Sequence, residues 1–130
     1  MPATANAEAA RLCDASFGKA AYTAPTTPMM LALMTANGSQ SAAGTEATGG
    51  SYARKNLTTA TPANSTNGVL TSNAQIDFTN MPASTITGIE VYDSAGSPRR
   101  AWFGPLTANK TLSAGDTLSF ASGALVFTLG

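Results

Sequence analysis

Ile86-Thr87-Gly88-Ile89-Glu90-Val91-Tyr92, Asp93-Ser94-Ala95-Gly96, and then Arg100-Ala101-Trp102-Phe103-Gly104-Pro105-Leu106 is the stretch that decides the fold. Strict alternation would place Thr87, Ile89 and Val91 on one face and Ile86, Gly88, Glu90 and Tyr92 on the other. The Asp-Ser-Ala-Gly run suits a tight loop, and Arg100–Leu106 can return as the antiparallel partner. A lone hairpin is at best marginally stable in water, so the flanking chain must supply more strands and a covering layer.

Toward the C-terminus, Ser113-Ala114-Gly115-Asp116 reads as a turn between Thr111-Leu112 and Thr117-Leu118-Ser119-Phe120. Ser122-Gly123 leads into a closing strand, Ala124–Leu129, with Leu125, Phe127 and Leu129 on one side. Toward the N-terminus, Gln75-Ile76-Asp77-Phe78 alternates, and Thr59–Asn67, with Pro62, reads as loop. Ser51–Thr58 is predicted as a strand in which Tyr52 alternates with Arg54, after a Gly-containing loop at Ser39–Gly50. Met29–Thr35 is a short apolar run suited to a strand covered on both faces, ending at the Asn37-Gly38 turn signal.

Before Pro25 the texture is helical. Across Thr4–Phe17 and just beyond, Ala9, Leu12, Cys13, Ser16 and Ala20 form a thin stripe, and Gly18 falls where a left-handed C-terminal cap belongs. The prediction is a mainly β chain: a single-domain antiparallel β-sandwich, jelly-roll-like, preceded by one short N-terminal α-helix. Residues 1–24 form the helix and arm, and 25–130 the sandwich. No fixed period recurs, which argues against a long repetitive shaft.

Composition narrows the function. Of 130 residues, 43% are hydrophobic but only 11% are charged, against roughly 25% in an average soluble domain. Seven basic and seven acidic residues cancel, so no nucleic-acid partner is expected. A weakly charged surface is poorly protected against association, which hints at assembly into something larger. No run approaches the ~18 apolar residues of a membrane span, so no membrane partner is expected. No secretory signal is evident, and folding in a reducing cytoplasm is the expectation.

Catalysis has little to build on. The chain has no histidine, the commonest general base and metal ligand. Cys13 is alone, excluding an intrachain disulfide, and its place on the helix stripe predicts a buried structural thiol. Glu90 and Asp77 are the least implausible carboxylate pair for glycoside chemistry, though a solvated sheet face explains them too. Asp93 and Asp116 fall in turns, where Asp bonds its own backbone. No catalytic residue, cofactor or metal is expected. Arg54-Lys55 and Arg99-Arg100 read as a solvated edge that discourages strand pairing, or as salt-bridge donors to an acidic partner subunit. Trp102 beside Phe103 reads as core with one partly exposed ring.

Two blocks carry a resemblance. Thr45-Glu46-Ala47-Thr48-Gly49-Gly50-Ser51-Tyr52-Ala53-Arg54 resembles the "GTEVTGGSYAR" stretch of a family of small phage virion proteins often labelled phage tail fibre proteins. Lys110-Thr111-Leu112-Ser113-Ala114-Gly115-Asp116-Thr117-Leu118-Ser119-Phe120 is similar to another block of that family, and Thr87–Asp93 to its "THFGIYDA". Glu90 departs from the family pattern, where an apolar or aromatic residue stands, and Thr59–Asn73 follows no family pattern.

The resemblance implies a non-enzymatic structural protein of the virion, assembled in the host bacterial cytoplasm. A compact sandwich without repeats is expected to act as a capsid cement or decoration protein, a homotrimer on the major capsid protein or other virion proteins. The alternatives are a tail fibre or tail-tip attachment protein and a carbohydrate-binding module with Trp102, Tyr52 or Tyr92 as stacking platforms. Candidate interface residues are Leu12, Phe17, Glu46, Tyr52, Arg54, Arg99, Arg100 and Trp102, with the helix Thr4–Phe17 and the Gly44–Gly50 loop as the contacting segments.

Overall fold

In a computed structural model, which describes residues 2–129, the hairpin is the centre of the molecule. The elements run β1 (Ala3–Thr4), α1 (Asn6–Ser16), β2 (Met30–Ala36), β3 (Thr45–Glu46), β4 (Lys55–Asn56), β5 (Val69–Thr71), β6 (Ile76–Phe78), β7 (Ser84–Tyr92), β8 (Arg100–Leu112), β9 (Leu118–Phe120) and β10 (Val126–Thr128). A six-stranded sheet has the order β1-β8-β7-β2-β3, with β4 also pairing β2. Two antiparallel ribbons, β5–β10 and β6–β9, complete a sandwich-like, mainly β arrangement.

β2 is central because its apolar run leaves no polar face: Leu31, Ala32, Leu33 and Met34 are all buried. The core is one cluster joining Leu31 and Leu33 of β2, Ile89 and Val91 of β7, and Phe78, Phe120 and Phe127 from the ribbons. Phe78 stacks on Tyr52 at 6.1 Å between ring centroids and meets Phe120 edge-on at 6.2 Å.

Four expectations need correction. Alternation predicts that Ile86 faces away from Ile89, yet both lie in the core. The register slips between Ile86 and Gly88: Ile86 pairs Lys110, Gly88 pairs Pro105, and Leu106–Asn109 of β8 face Thr87 alone. A bulge resets which face a residue occupies, and no periodicity announces it. The Ser51–Thr58 strand shrinks to Lys55–Asn56, because Gly49 and Gly50 at φ +104° and +54° turn the chain just before it. Cys13 is exposed rather than buried. The covered flank of the helix is shifted from the expected stripe: Ala9 and Leu12 are half-buried as expected, Ser16 is exposed, and the one fully covered residue is Glu8.

The arm is joined to the sheet. Ala3 and Thr4 pair with Phe103 and Trp102 on the outer edge of β8, and the Ala5 N–H donates to Ala101 O. The helix ends as its sequence suggests, with Gly18 at φ +69° and its N–H donating to Ala15 O.

Candidate functional site

The chain has three glutamates and three tyrosines, and each glutamate is held by an arginine and a tyrosine hydroxyl. Glu46, on β3, takes a fork from Arg54, with Nε 3.0 Å from Oε2 and Nη2 2.9 Å from Oε1. The Tyr52 hydroxyl donates to Glu46 Oε2 at 2.6 Å and accepts the Leu33 N–H at 2.9 Å. Tyr52 thereby fastens the polar cluster to a central strand while its ring packs on the core. Burial pushes the Glu46 carboxyl up, but the bonds from Arg54 and Tyr52 outweigh it and hold the group below its ordinary range. Burial and the nearby carboxylate push the Tyr52 phenol up.

Glu90, on β7, is wholly removed from solvent, which corrects the reading of a solvated sheet face. Arg100 Nη2 donates to Oε2 at 3.1 Å, and the Gly44 N–H donates to the same oxygen at 2.8 Å. Tyr92, two residues along the same face, donates its hydroxyl to Oε1 at 2.7 Å. The Arg54 guanidinium lies 4.1 Å over the Tyr92 ring, so the Glu46 and Glu90 clusters are continuous. Arg100 also donates to Ser39 O at 2.6 Å and lies over Phe103.

Glu8, on the helix, gathers Arg99, Arg11 and the Tyr22 hydroxyl. Arg99 reaches it at 2.6 Å through Nη2 and also donates to Thr23 O at 2.6 Å. The adjacent arginines at the start of β8 thus diverge, one toward the helix and one toward Glu90. Arg54, Arg99 and Arg100 pair with glutamates of their own chain, which replaces the reading of these three as a free solvated edge.

Asp93 closes the β7–β8 loop: Oδ1 accepts the N–H groups of Ala95 and Arg99, and Oδ2 that of Thr26. Its burial works against ionisation, and those three N–H bonds with the Arg99 charge prevail and lower its pKa. The other carboxylate considered for catalysis, Asp77, is exposed on the β6–β9 ribbon, bonded to Gln75 and Ser119 and on a different sheet from Glu90. Among the described residues no three His, Cys, Asp or Glu side chains gather as metal ligands, and no helix is long and apolar enough to cross a membrane.

Of the interface candidates, Phe17 projects at the helix end, 75% exposed, and Leu12 is half-buried. Glu46, Tyr52, Arg54 and Arg100 belong to the connected cluster, and Arg99 to the Glu8 cluster. Trp102 meets Phe127 edge-on at 5.5 Å and lines an apolar groove of about 250 Å³ with Met29, Leu57, Leu70 and Leu129. Gly44 is folded inward, where a β-carbon would strike Ala36 O and come within 2.7 Å of Gly38 N. Sequence reasoning missed Glu8 and Tyr22. The available signal was scarcity: in so uncharged a chain, each glutamate had to have a structural reason.

A sequence model of the family described as Podophage GP4 fiber I protein gp80 matches residues 3–128. No curated protein matches the sequence.

Proposed function

The chain belongs to the family described as Podophage GP4 fiber I protein gp80, and from that membership we propose that it is a tail-fibre component of a bacteriophage particle. The family is one of phage structural fibre proteins, so the role is to hold shape and make contacts in the virion. The observation that carries the proposal is the extent of the match, which takes in the helix, the sheet and both ribbons.

The distribution of polar groups supports this reading. Salt bridges and tyrosine hydroxyls lock loops and helix onto the sheet and leave few charges facing outward. Such a body suits apolar and neutral polar contacts, with Phe17 and the groove beside Trp102 as the places for them. A homotrimer joined to another virion protein is the assembly we propose, and the native mass of the purified protein tests its number. The head-cement placement has only the compact shape in its favour. The rings suggested as sugar platforms are engaged within the fold: Tyr52 on Phe78, Tyr92 under Arg54 and Trp102 against Phe127.

Copy number in purified particles, combined with antibody labelling under the electron microscope, tests placement. A handful of copies at the tail is the expected result. Hundreds of copies over the head would overturn it in favour of cement.

A further inference from the structure

The sequence holds two Asn-Gly pairs, Asn37-Gly38 and Asn67-Gly68, and the fold packs around them unequally. Glycine after asparagine removes the side chain that would hinder attack by the following backbone nitrogen on the asparagine amide. We propose that Asn67 is a site of spontaneous deamidation and isoaspartate formation, while Asn37 is protected by the fold.

Asn67 and Gly68 form the tip of a two-residue turn, at φ +52° and +76°. The turn is closed by Thr66 and Val69, each N–H donating to the other's carbonyl at 2.9 Å. That pairing leaves the Gly68 N–H outside the ladder; Asn67, like Asn37, is exposed, so the two pairs differ in what surrounds and holds them. Gly68 is crowded on one side only: an added β-carbon would meet Leu129 O at 2.9 Å and nothing else within 3.5 Å. Reaching the attack geometry requires only that the tip of a three-residue ribbon open.

Asn37 is held. Its Oδ1 accepts the Thr87 hydroxyl at 3.0 Å. Around Gly38, an added β-carbon would collide with Glu90 Oε2 and come within 2.6 Å of Gly44 N and 2.7 Å of Arg100 Nη2. Motion there would have to disturb the buried Glu90 cluster.

The step balances with water as the only co-reactant. Hydroxide or a buffer base removes the Gly68 amide proton, and the nitrogen attacks Asn67 Cγ. The N–Cγ bond forms, the Cγ–Nδ2 bond breaks, and ammonia leaves with a proton returned from solvent, giving a cyclic imide. Water then opens either imide C–N bond. Breaking the new bond gives aspartate; breaking the original main-chain bond gives isoaspartate, with an extra methylene in the backbone. At this turn the longer backbone would disturb Gly68 O, which accepts the Leu129 N–H and helps hold β10 on β5.

The test is to hold the purified full-length chain at mildly acidic and mildly alkaline pH and map its peptides by mass spectrometry. Isoaspartate is identified by methyltransferase labelling. A chain kept in urea provides the control in which both pairs react. The expected result is the amide-to-acid mass shift at Asn67, faster at alkaline pH, with Asn37 unchanged in the folded protein; N67D should show no shift there. Asn67 unchanged in the folded chain, Asn37 keeping pace with it, or a rate indifferent to pH would each overturn the proposal.

Discussion

Arg100 lies against Glu90 with Nε 3.1 Å from Oε1, and the carboxylate it serves is entirely sealed from water. That Nε makes no aligned hydrogen bond, so at this position the contact is ionic attraction alone, while Nη2 supplies the directed bond. Removing one partner of such a pair strands the other as a buried charge. Arg100→Ala is therefore expected to destabilise the fold by about 3–5 kcal/mol. Replacing both residues with apolar ones of similar size should cost less than the single change. Urea unfolding of the single and double variants measures the difference; a single variant within experimental error of the parent would contradict the ion-pair account.

Acid should loosen the Glu46 and Asp93 clusters. Both carboxyls have folded-state pKa values below their ordinary values of 4.5 and 3.8. The stability they contribute is thus complete above the unfolded values and disappears as pH falls through the lower, folded ones. Glu46→Gln should flatten part of the acid limb of the stability-versus-pH curve, leaving the share due to Asp93. Chemical denaturation across that pH range checks it, and an unaltered acid limb would exclude Glu46 as a contributor.

At the alkaline end, Tyr92 is the reporter. Burial, aided by its bond to Glu90, pushes its phenol from 10.0 up to about 12. Its contribution persists below the unfolded value and is lost as pH rises through the folded one. Tyrosinate absorbance should show a late component near 12 that Tyr92→Phe reduces. Tyrosines that all titrate at their ordinary value would show that this cluster does not close in solution.

Gly104 controls how the first strand seats. A β-carbon there would stand 2.7 Å from Pro2 Cα and 3.1 Å from Pro2 N. Gly104→Ala should cost about 1–3 kcal/mol through overcrowding at the β1–β8 edge. Amide exchange at Ala5, whose N–H bonds Ala101 O, should quicken while β2 and β7 keep their protection. Uniform loss of protection would show instead that β1 is integral to the central sheet.

How much of this could be read from the residues differs by element. β2, β7 and β8 were legible because their apolar runs and the intervening Asp-Ser-Ala-Gly loop are local signals. Gly18 marked the helix end for the same reason. The edge strands at Ala3–Thr4 and Thr45–Glu46 were not, since two residues carry no period and exist only because a neighbour offers a ladder. The slip at Thr87 was equally silent. The arginines stood out in the sequence but their partners within the chain did not, because partners such as Glu8, 91 residues from Arg99, become neighbours only when the fold is made.

Drawing all the glutamates and arginines into mutual pairs leaves Asp14, Asp77, Asp116, Lys19, Lys55 and Lys110 as the charged side chains outside these clusters, apart from the loop-bound Asp93. Three of each sign, scattered over 6869 Å² of accessible surface, generate little field at a distance. Added electrolyte, which damps Coulomb forces beyond about 10 Å at 0.1 M, would have little long-range attraction to weaken. The assembly proposed above should therefore persist nearly unchanged from dilute buffer to brine.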